Sequence, residues 1–248
     1  MVSVWATQNH ISLGQRVVEA KSNEITAIPK LLELVELSGG LVPIDALGCQ
    51  KKIAAKIREE GADYVLAVKQ NQGRLYEDVS STFVAAMDED FAGWEHDSYT
   101  SEERGHGRLE RRTYYTLPVR DWVRDAAAWP DLTSLGLAIR ERQEQGQTTL
   151  ESHFYIASRS LSGSEFAEAV RGHWGIENRL HWQLDVTFGE DASRIRKEHG
   201  PQNFSTLRRT ALRLLKHETT CKTGIAIKRQ NAGWDDDYRE RVLRGATV

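Results

Sequence analysis

Cysteine is almost missing from this chain of 248 residues, which holds only Cys49 and Cys221. Two thiols are too few for a disulfide framework or a thiolate zinc site, so a reducing, cytoplasmic setting is the simplest expectation. No apolar run approaches the roughly eighteen residues that cross a bilayer, and no membrane partner is expected. The opening MVSVWATQNH lacks the charged start and apolar block of a signal peptide. Internal repeats and low-complexity tracts are also absent. What remains is a chain with 40% hydrophobic and 28% charged residues, a globular composition long enough for one large domain or two small ones. Its net charge is only −3, but the charge is uneven. From Arg194 onward, 13 Lys and Arg stand against 6 Asp and Glu, so the preceding residues are net acidic. A basic tail on an acidic body suits a phosphate-bearing partner, and equally suits solvated C-terminal helices.

The segments VSVWAT (2–7) and ISLGQRVVEA (11–20) alternate apolar with polar residues around Gln8-Asn9-His10, the pattern of a β-hairpin. A helix is expected next, capped at Ser22 or Asn23 and ended at Gly39-Gly40, with Pro29 as an objection to a straight one. LVPIDALG (41–48) reads as a buried strand that stops at Asp45. An amphipathic helix through Ile53, Ala54 and Ile57 follows, closed by Gly61, and YVLAVK (64–69) is a second buried strand. Strand–helix–strand with short connections points to a parallel βαβ unit, hence an α/β fold with a mixed sheet covered by helices. After a helix over 75–87, two hairpins are expected over 95–117 and 134–158, turning at Gly105-His106-Gly107 and Gln145-Gly146-Gln147. Ser162 and Glu165 fit a capping box, which opens the helix carrying RGHWGIENRLHWQLDVTFGED (171–191). A last helix starts near Pro201.

That 171–191 stretch sets ionisable groups beside bulky aromatics. At helical spacing His173, Glu177 and His181 stand four apart. The two His lie about 12 Å apart along a helix, too far to bind one small ion, which argues against a zinc site. Glu177 is either an exposed helical Glu or a carboxylate held by the packing of Trp174, Ile176, Leu180 and Trp182. Asp45 is either a loop residue or a ligand for Mg²⁺, which takes hard oxygens and few protein carboxylates. Arg104, Arg108, Arg111 and Arg112 gather at one hairpin tip, suited to phosphate contact. Glu102, Glu103 and Glu110 dilute them, so a solvated hairpin stands as the equal alternative. The lone GxG of RGHGRLE lacks the strand-to-helix setting of a dinucleotide loop. WDDDYRER (234–241) reads as a solvated acidic turn.

In order along residues 2–217, LVPIDALGCQ, GADYVLAVKQNQ, ERGHGRLERR and HWGIENRLHWQLDVTFGEDASRIR resemble the H-repeat-associated insertion-sequence transposases. These are DDE transposases with a ribonuclease-H-like catalytic domain. The resemblance implies metal-dependent cleavage and strand transfer of DNA, with Mg²⁺ or Mn²⁺ held by two Asp and one Glu. Asp45 matches the second Asp and Glu177 the Glu, and their carboxylates are expected within about 8 Å of each other, a gap bridging metals span. The family's first Asp lies in a stretch like AIDGKTLR ahead of VSVWAT. The chain is therefore expected to be an N-terminally truncated copy lacking the first, central strand, inactive alone; a non-catalytic DNA-binding remnant is the alternative. Residues 1–69 would be the first part of the ribonuclease-H-like core, 70–160 a helix and β-rich insertion, and 161–248 the catalytic helix with basic C-terminal helices. The expected partners are the ends of a mobile element and target DNA, with a second copy of the chain a further candidate. Candidate DNA contacts are Lys69, Arg104, Arg108, Arg112, His173, His181, Arg194, Arg196 and Lys197. The Tyr or Arg and the Lys that often flank the Glu in related transposases have no counterpart here, where Val170, His173 and Leu184 stand.

Overall fold

A computed structural model describes residues 2–6, 11–16, 24–105, 107–176 and 180–245. The chain divides into two units, residues 18–173 with Val2, and residues 3–17 with 174–248. None of the helices among the described residues is long and apolar enough to cross a membrane.

The larger unit is built on a six-stranded mixed sheet in the order β3-β4-β8-β7-β6-β5. Its strands are β3 (Leu41–Ile44), β4 (Asp63–Val68), β5 (Asp97–Gly105), β6 (Arg108–Pro118), β7 (Ser134–Glu144) and β8 (Gln147–Ala157). Only β3 and β4 run parallel, joined through helix α2 (Lys51–Glu59) as the expected βαβ unit. Gly61 ends that connection at φ +72°, where the Ala62 N–H donates back to Ile57 O (3.1 Å). Pro43 sits in β3, an end strand of the sheet, where a missing N–H costs no ladder bond. The two expected hairpins are present, with Gly105 opposite Arg108 and Glu144 opposite Gln147. Gln145 (φ 51°) and Gly146 (φ 78°) both take the left-handed conformation that a two-residue hairpin turn requires. His106 of the other turn lies outside the described residues.

Helices cover both faces. On one, α2 and α3 (Gly73–Asp88) bury Ile53, Ile57, Val79 and Phe83 against Leu66, Leu135, Leu137 and Ile156. On the other, α4 (Gly163–Ile176) sets Phe166 between Tyr114 and Tyr155, with ring centroids at 6.0 and 5.2 Å. Gly136 leaves the space for that ring, since a Cβ there would fall 2.5 Å from Phe166 Cζ. The capping box holds: the Glu165 N–H donates to Ser162 Oγ (3.2 Å) and the Ser162 N–H to Glu165 Oε2 (2.9 Å).

One boundary needs correction. Helix α1 (Glu24–Leu32) stops seven residues short of Gly39, not at the glycine pair. Pro29 cannot donate into the helix, and the chain leaves through tight bonds from Leu34 N to Leu31 O and Val35 N to Leu32 O. The caps expected at Ser22 or Asn23, and the turn at 8–10, lie outside the described residues.

In the smaller unit β1 (Val2–Ala6) and β2 (Ile11–Arg16) pair as a two-stranded sheet. Leu180 and Leu184 pack on Leu212 of α5 (Gly200–His217), ringed by Trp5, Ile176, Phe188 and Ile225. Pro201 occupies the first turn of α5 as expected. Two further helices follow, α6 (Ile225–Trp234) and α7 (Asp236–Arg244). WDDDYRER is therefore no turn. Asp235 caps α7 by accepting the Tyr238 N–H (3.0 Å), and Asp236 and Asp237 occupy the helix's first turn, where acidic side chains oppose the dipole.

Glu218 ties these helices together. Its buried carboxylate accepts from Thr220 N (2.6 Å), Cys221 N (3.2 Å) and Tyr238 OH (2.8 Å), while Lys228 Nζ lies 3.5 Å away and donates to Leu215 O (3.2 Å). Burial alone would raise the Glu218 pKa; hydrogen bonds from Thr220, Tyr238 and Cys221 outweigh it and bring it down to about 2.

Two outcomes follow from this packing. Gly136→Ala should cost about 1–3 kcal/mol of stability in urea unfolding, because the ring it meets is enclosed and cannot retreat. The folded Glu218 pKa lies below its ordinary 4.5, so its stabilisation is complete above that pH and is lost as pH falls toward 2. Thermal melts should therefore show a steeper loss of stability across that window in the wild-type chain than in Glu218→Gln.

Candidate active site

Asp45 follows the last residue of β3 and is exposed. Its Oδ1 accepts the Gly48 N–H at 3.1 Å, and Oδ2 makes no hydrogen bond among the described residues. The loop beneath it is tight: a Cβ on Gly48 would lie 2.4 Å from Ile44 Cγ2. Two side chains from the turn after β4 hold this loop from outside. Asn71 Nδ2 donates to Ala46 O (2.8 Å), and Gln72 Nε2 donates to Cys49 O (2.6 Å). The segments VPIDALGC and KQNQ are thus one structural piece. Because β3 and β4 are parallel, their carboxyl ends open on the same sheet edge, the usual ligand edge of α/β folds, with Asp45 after one and exposed Lys69 after the other.

Glu177 lies outside the described residues, and with it the expected separation from Asp45. Among the described residues no three His, Cys, Asp or Glu side chains form a group able to hold a metal. Cys49 offers no nucleophile: it is fully buried, and burial pushes its thiol up to about 12.

The stretch around Glu177 is not one regular helix. The α-helix is described to Ile176, and residues Gln183–Thr187 form a π-helical turn. Leu180 is fully buried and Ile176 packs beside it, as anchors should. Trp182 is 53% exposed and is not among the side chains packed in that cluster, so it is no anchor. His173 and His181 are both half-buried.

The arginines at the β5–β6 hairpin do not form one basic patch. Strand alternation puts Arg108 and Arg112 on one face and Arg104 and Arg111 on the other. Each face carries its own carboxylates. Glu110, only 3% exposed, pairs with Arg112 and with Arg140 Nε (2.7 Å). Glu103 bridges Arg112 Nη1 (3.1 Å) to Arg171 of α4, and these hydrogen bonds hold its carboxyl below the usual range. Arg104 pairs with Glu102 at 2.9 Å, and Arg108 stands 3.7 Å from Glu110. The tail differs: Arg194, Arg196 and Lys197 are exposed, and none makes an ion pair with the described residues.

One concave feature escaped the sequence. A pocket of about 500 Å³ opens between α6, α7 and the Thr220–Cys221 turn, lined by Asn231, Trp234 and Arg241. Its signal was the W-D-D-D run, an N-cap pattern rather than a turn pattern.

Comparison with known proteins bears on the same residues. Residues 1–214 match the family described as "Transposase DDE domain". "Putative transposase YncI" of Escherichia coli O157:H7 is 41% identical over 98% of this chain and 63% of its own length. "H repeat-associated putative transposase YhhI" of Escherichia coli strain K12 is 37% identical over 99% of this chain and 66% of its own. The chain thus spans slightly less than two thirds of these relatives. With the family's domain matched across most of its residues, Asp45 included, the chain belongs to the DDE-domain transposases.

Proposed function

We propose that this chain carries catalytic machinery for DNA transposition, cutting and joining phosphodiesters with Asp45 and Glu177 as two of its acidic residues. The observation that carries the reading is the DDE-domain match combined with the setting of Asp45. An exposed carboxylate stands at the carboxyl end of a parallel strand, one oxygen fixed by Gly48 and the other unspent. That donor set fits Mg²⁺ or Mn²⁺, which bind through one or two carboxylates together with substrate phosphate oxygens. When bound, such an ion supplies charge stabilisation at the phosphoryl oxygens and a more acidic attacking water.

The residues of the chain have separate tasks in this reading. Asn71 and Gln72 fix the loop so that Asp45 keeps one orientation. Glu177 would supply a further carboxylate; in sequence it stands between Ile176 and Leu180, which pack in one apolar cluster. Lys69, at the Asp45 edge, and Arg194, Arg196 and Lys197 of the tail would hold phosphates, since their charges are not already spent on carboxylates. His173 and His181 would contact the strand near Glu177. In ribonuclease-H-like terms, residues 1–69 supply the first part of the core, 70–160 the helix and β-rich insertion, and 161–248 the catalytic helix and basic tail.

Asp45→Asn keeps an oxygen for the Gly48 N–H, so it should change stability by less than about 1 kcal/mol in thermal melts. The same variant, and Glu177→Gln, should each weaken Mn²⁺ binding by at least about tenfold, read from the paramagnetic resonance of free Mn²⁺. Nicking of element-end DNA in Mg²⁺ or Mn²⁺, by the gene product including any residues encoded before Met1, should be lost in both. Nicking that survives both substitutions would overturn the assignment.

A further inference from the structure

The C-terminal pocket has walls whose polar groups are already satisfied and a rim whose groups are not. Thr220 and Tyr238 are committed to Glu218 behind the wall. Trp234 at the rim is 80% exposed, the most exposed large apolar side chain among the described residues. Arg241 lies over the Tyr238 ring at 5.4 Å, and no carboxylate pairs with it among the described residues. Asn231 spends its amide on a single contact, from Nδ2 to Cys221 Sγ at 3.8 Å. Asp235, which also lines the pocket, is turned to the α7 N-terminus by the Tyr238 N–H on its Oδ1 and keeps its charge, while Asp236 is paired with Arg239 at 2.6 Å.

An open indole, a held but unpaired guanidinium and an amide edge around about 500 Å³ suit a planar, hydrogen-bonding, anionic ligand of nucleotide size. Duplex DNA stacks its bases internally and cannot offer a face to Trp234, whereas an unpaired base can. We propose that this pocket binds one unpaired nucleotide of a DNA strand, with the base on Trp234, its edge at Asn231 and the phosphate on Arg241. The choice of DNA rests on the transposase reading; the stacking geometry does not. Such a site would grip a strand where its pairing is broken, with Asn231, Trp234 and Arg241 all 54 or more positions along the chain from Glu177.

The test is fluorescence anisotropy with a labelled single strand of about ten nucleotides and a duplex of the same length. Trp234→Ala should weaken single-strand binding by about tenfold or more, Arg241→Gln should weaken it too, and Trp234→Phe should retain most of it. Duplex binding should stay unchanged in all three, and circular dichroism should match the wild type. Unchanged single-strand affinity in Trp234→Ala and Arg241→Gln overturns the pocket. So does a dimer, seen by sedimentation, that Trp234→Ala splits, because a second copy would then cover the indole. Full competition by a free deoxynucleoside monophosphate at equal concentration would also overturn it in favour of a free-nucleotide site. If instead Trp234-dependent strand binding holds while Asp45→Asn leaves Mn²⁺ binding intact, the metal-site reading fails and the pocket stands.

Discussion

The parallel pairing of β3 with β4 is the constraint on which the rest of the candidate site depends. It aligns two carboxyl ends on one edge and brings the Asn71 and Gln72 amides within reach of the loop that follows Asp45. An aspartate in a loop ordinarily samples several rotamers, and ordering one costs conformational entropy. Here that cost falls on the fold itself. Gly48 has no room for a Cβ, two amides pin the loop carbonyls, and one Asp45 oxygen is spent on backbone. The other oxygen is left oriented toward solvent chemistry.

Charge in this chain is sorted by burial. Along β5–β8 the arginines alternate with glutamates that the strand geometry places directly beside them, and Glu110 is almost completely enclosed among them. Breaking such a pair would strand a buried charge, so these arginines serve the sheet first. Exposed Arg194, Arg196 and Lys197 have no such commitment among the described residues. A surplus of positive charge read from composition therefore overstates what the hairpin offers a phosphate and understates what the tail offers.

Much of the architecture was legible because it depends on local rules. The βαβ unit, the two hairpins and the Ser162–Glu165 box each rest on residues close in sequence whose periodicity or turn chemistry admits few alternatives. The misses share a cause as well. The end of α1 comes well before the next glycine, where the backbone passes into the tighter bonds of Leu34 and Val35. The Asp235 cap looked like a solvated turn because the helix after it is only nine residues long and mostly polar. Aromatic density around Glu177 suggests packing for Trp182, but its side chain is 53% exposed, because aromatic content alone does not say which face of a helix is covered.

The amino-acid sequence by itself determined the element types, the family motifs and the identity of Asp45 and Glu177 as the acidic residues to examine. Those follow from short-range periodicity, turn residues and a long string of matched positions. Only the tertiary structure decided that KQNQ braces the Asp45 loop, that Arg104, Arg108 and Arg112 of the hairpin are paired with carboxylates, and that α6 and α7 enclose a pocket whose Arg241 meets no carboxylate among the described residues. Each of these is a contact between segments distant along the chain, and it is the packing of the folded state, not local preference, that selects which of the many possible distant pairs are made.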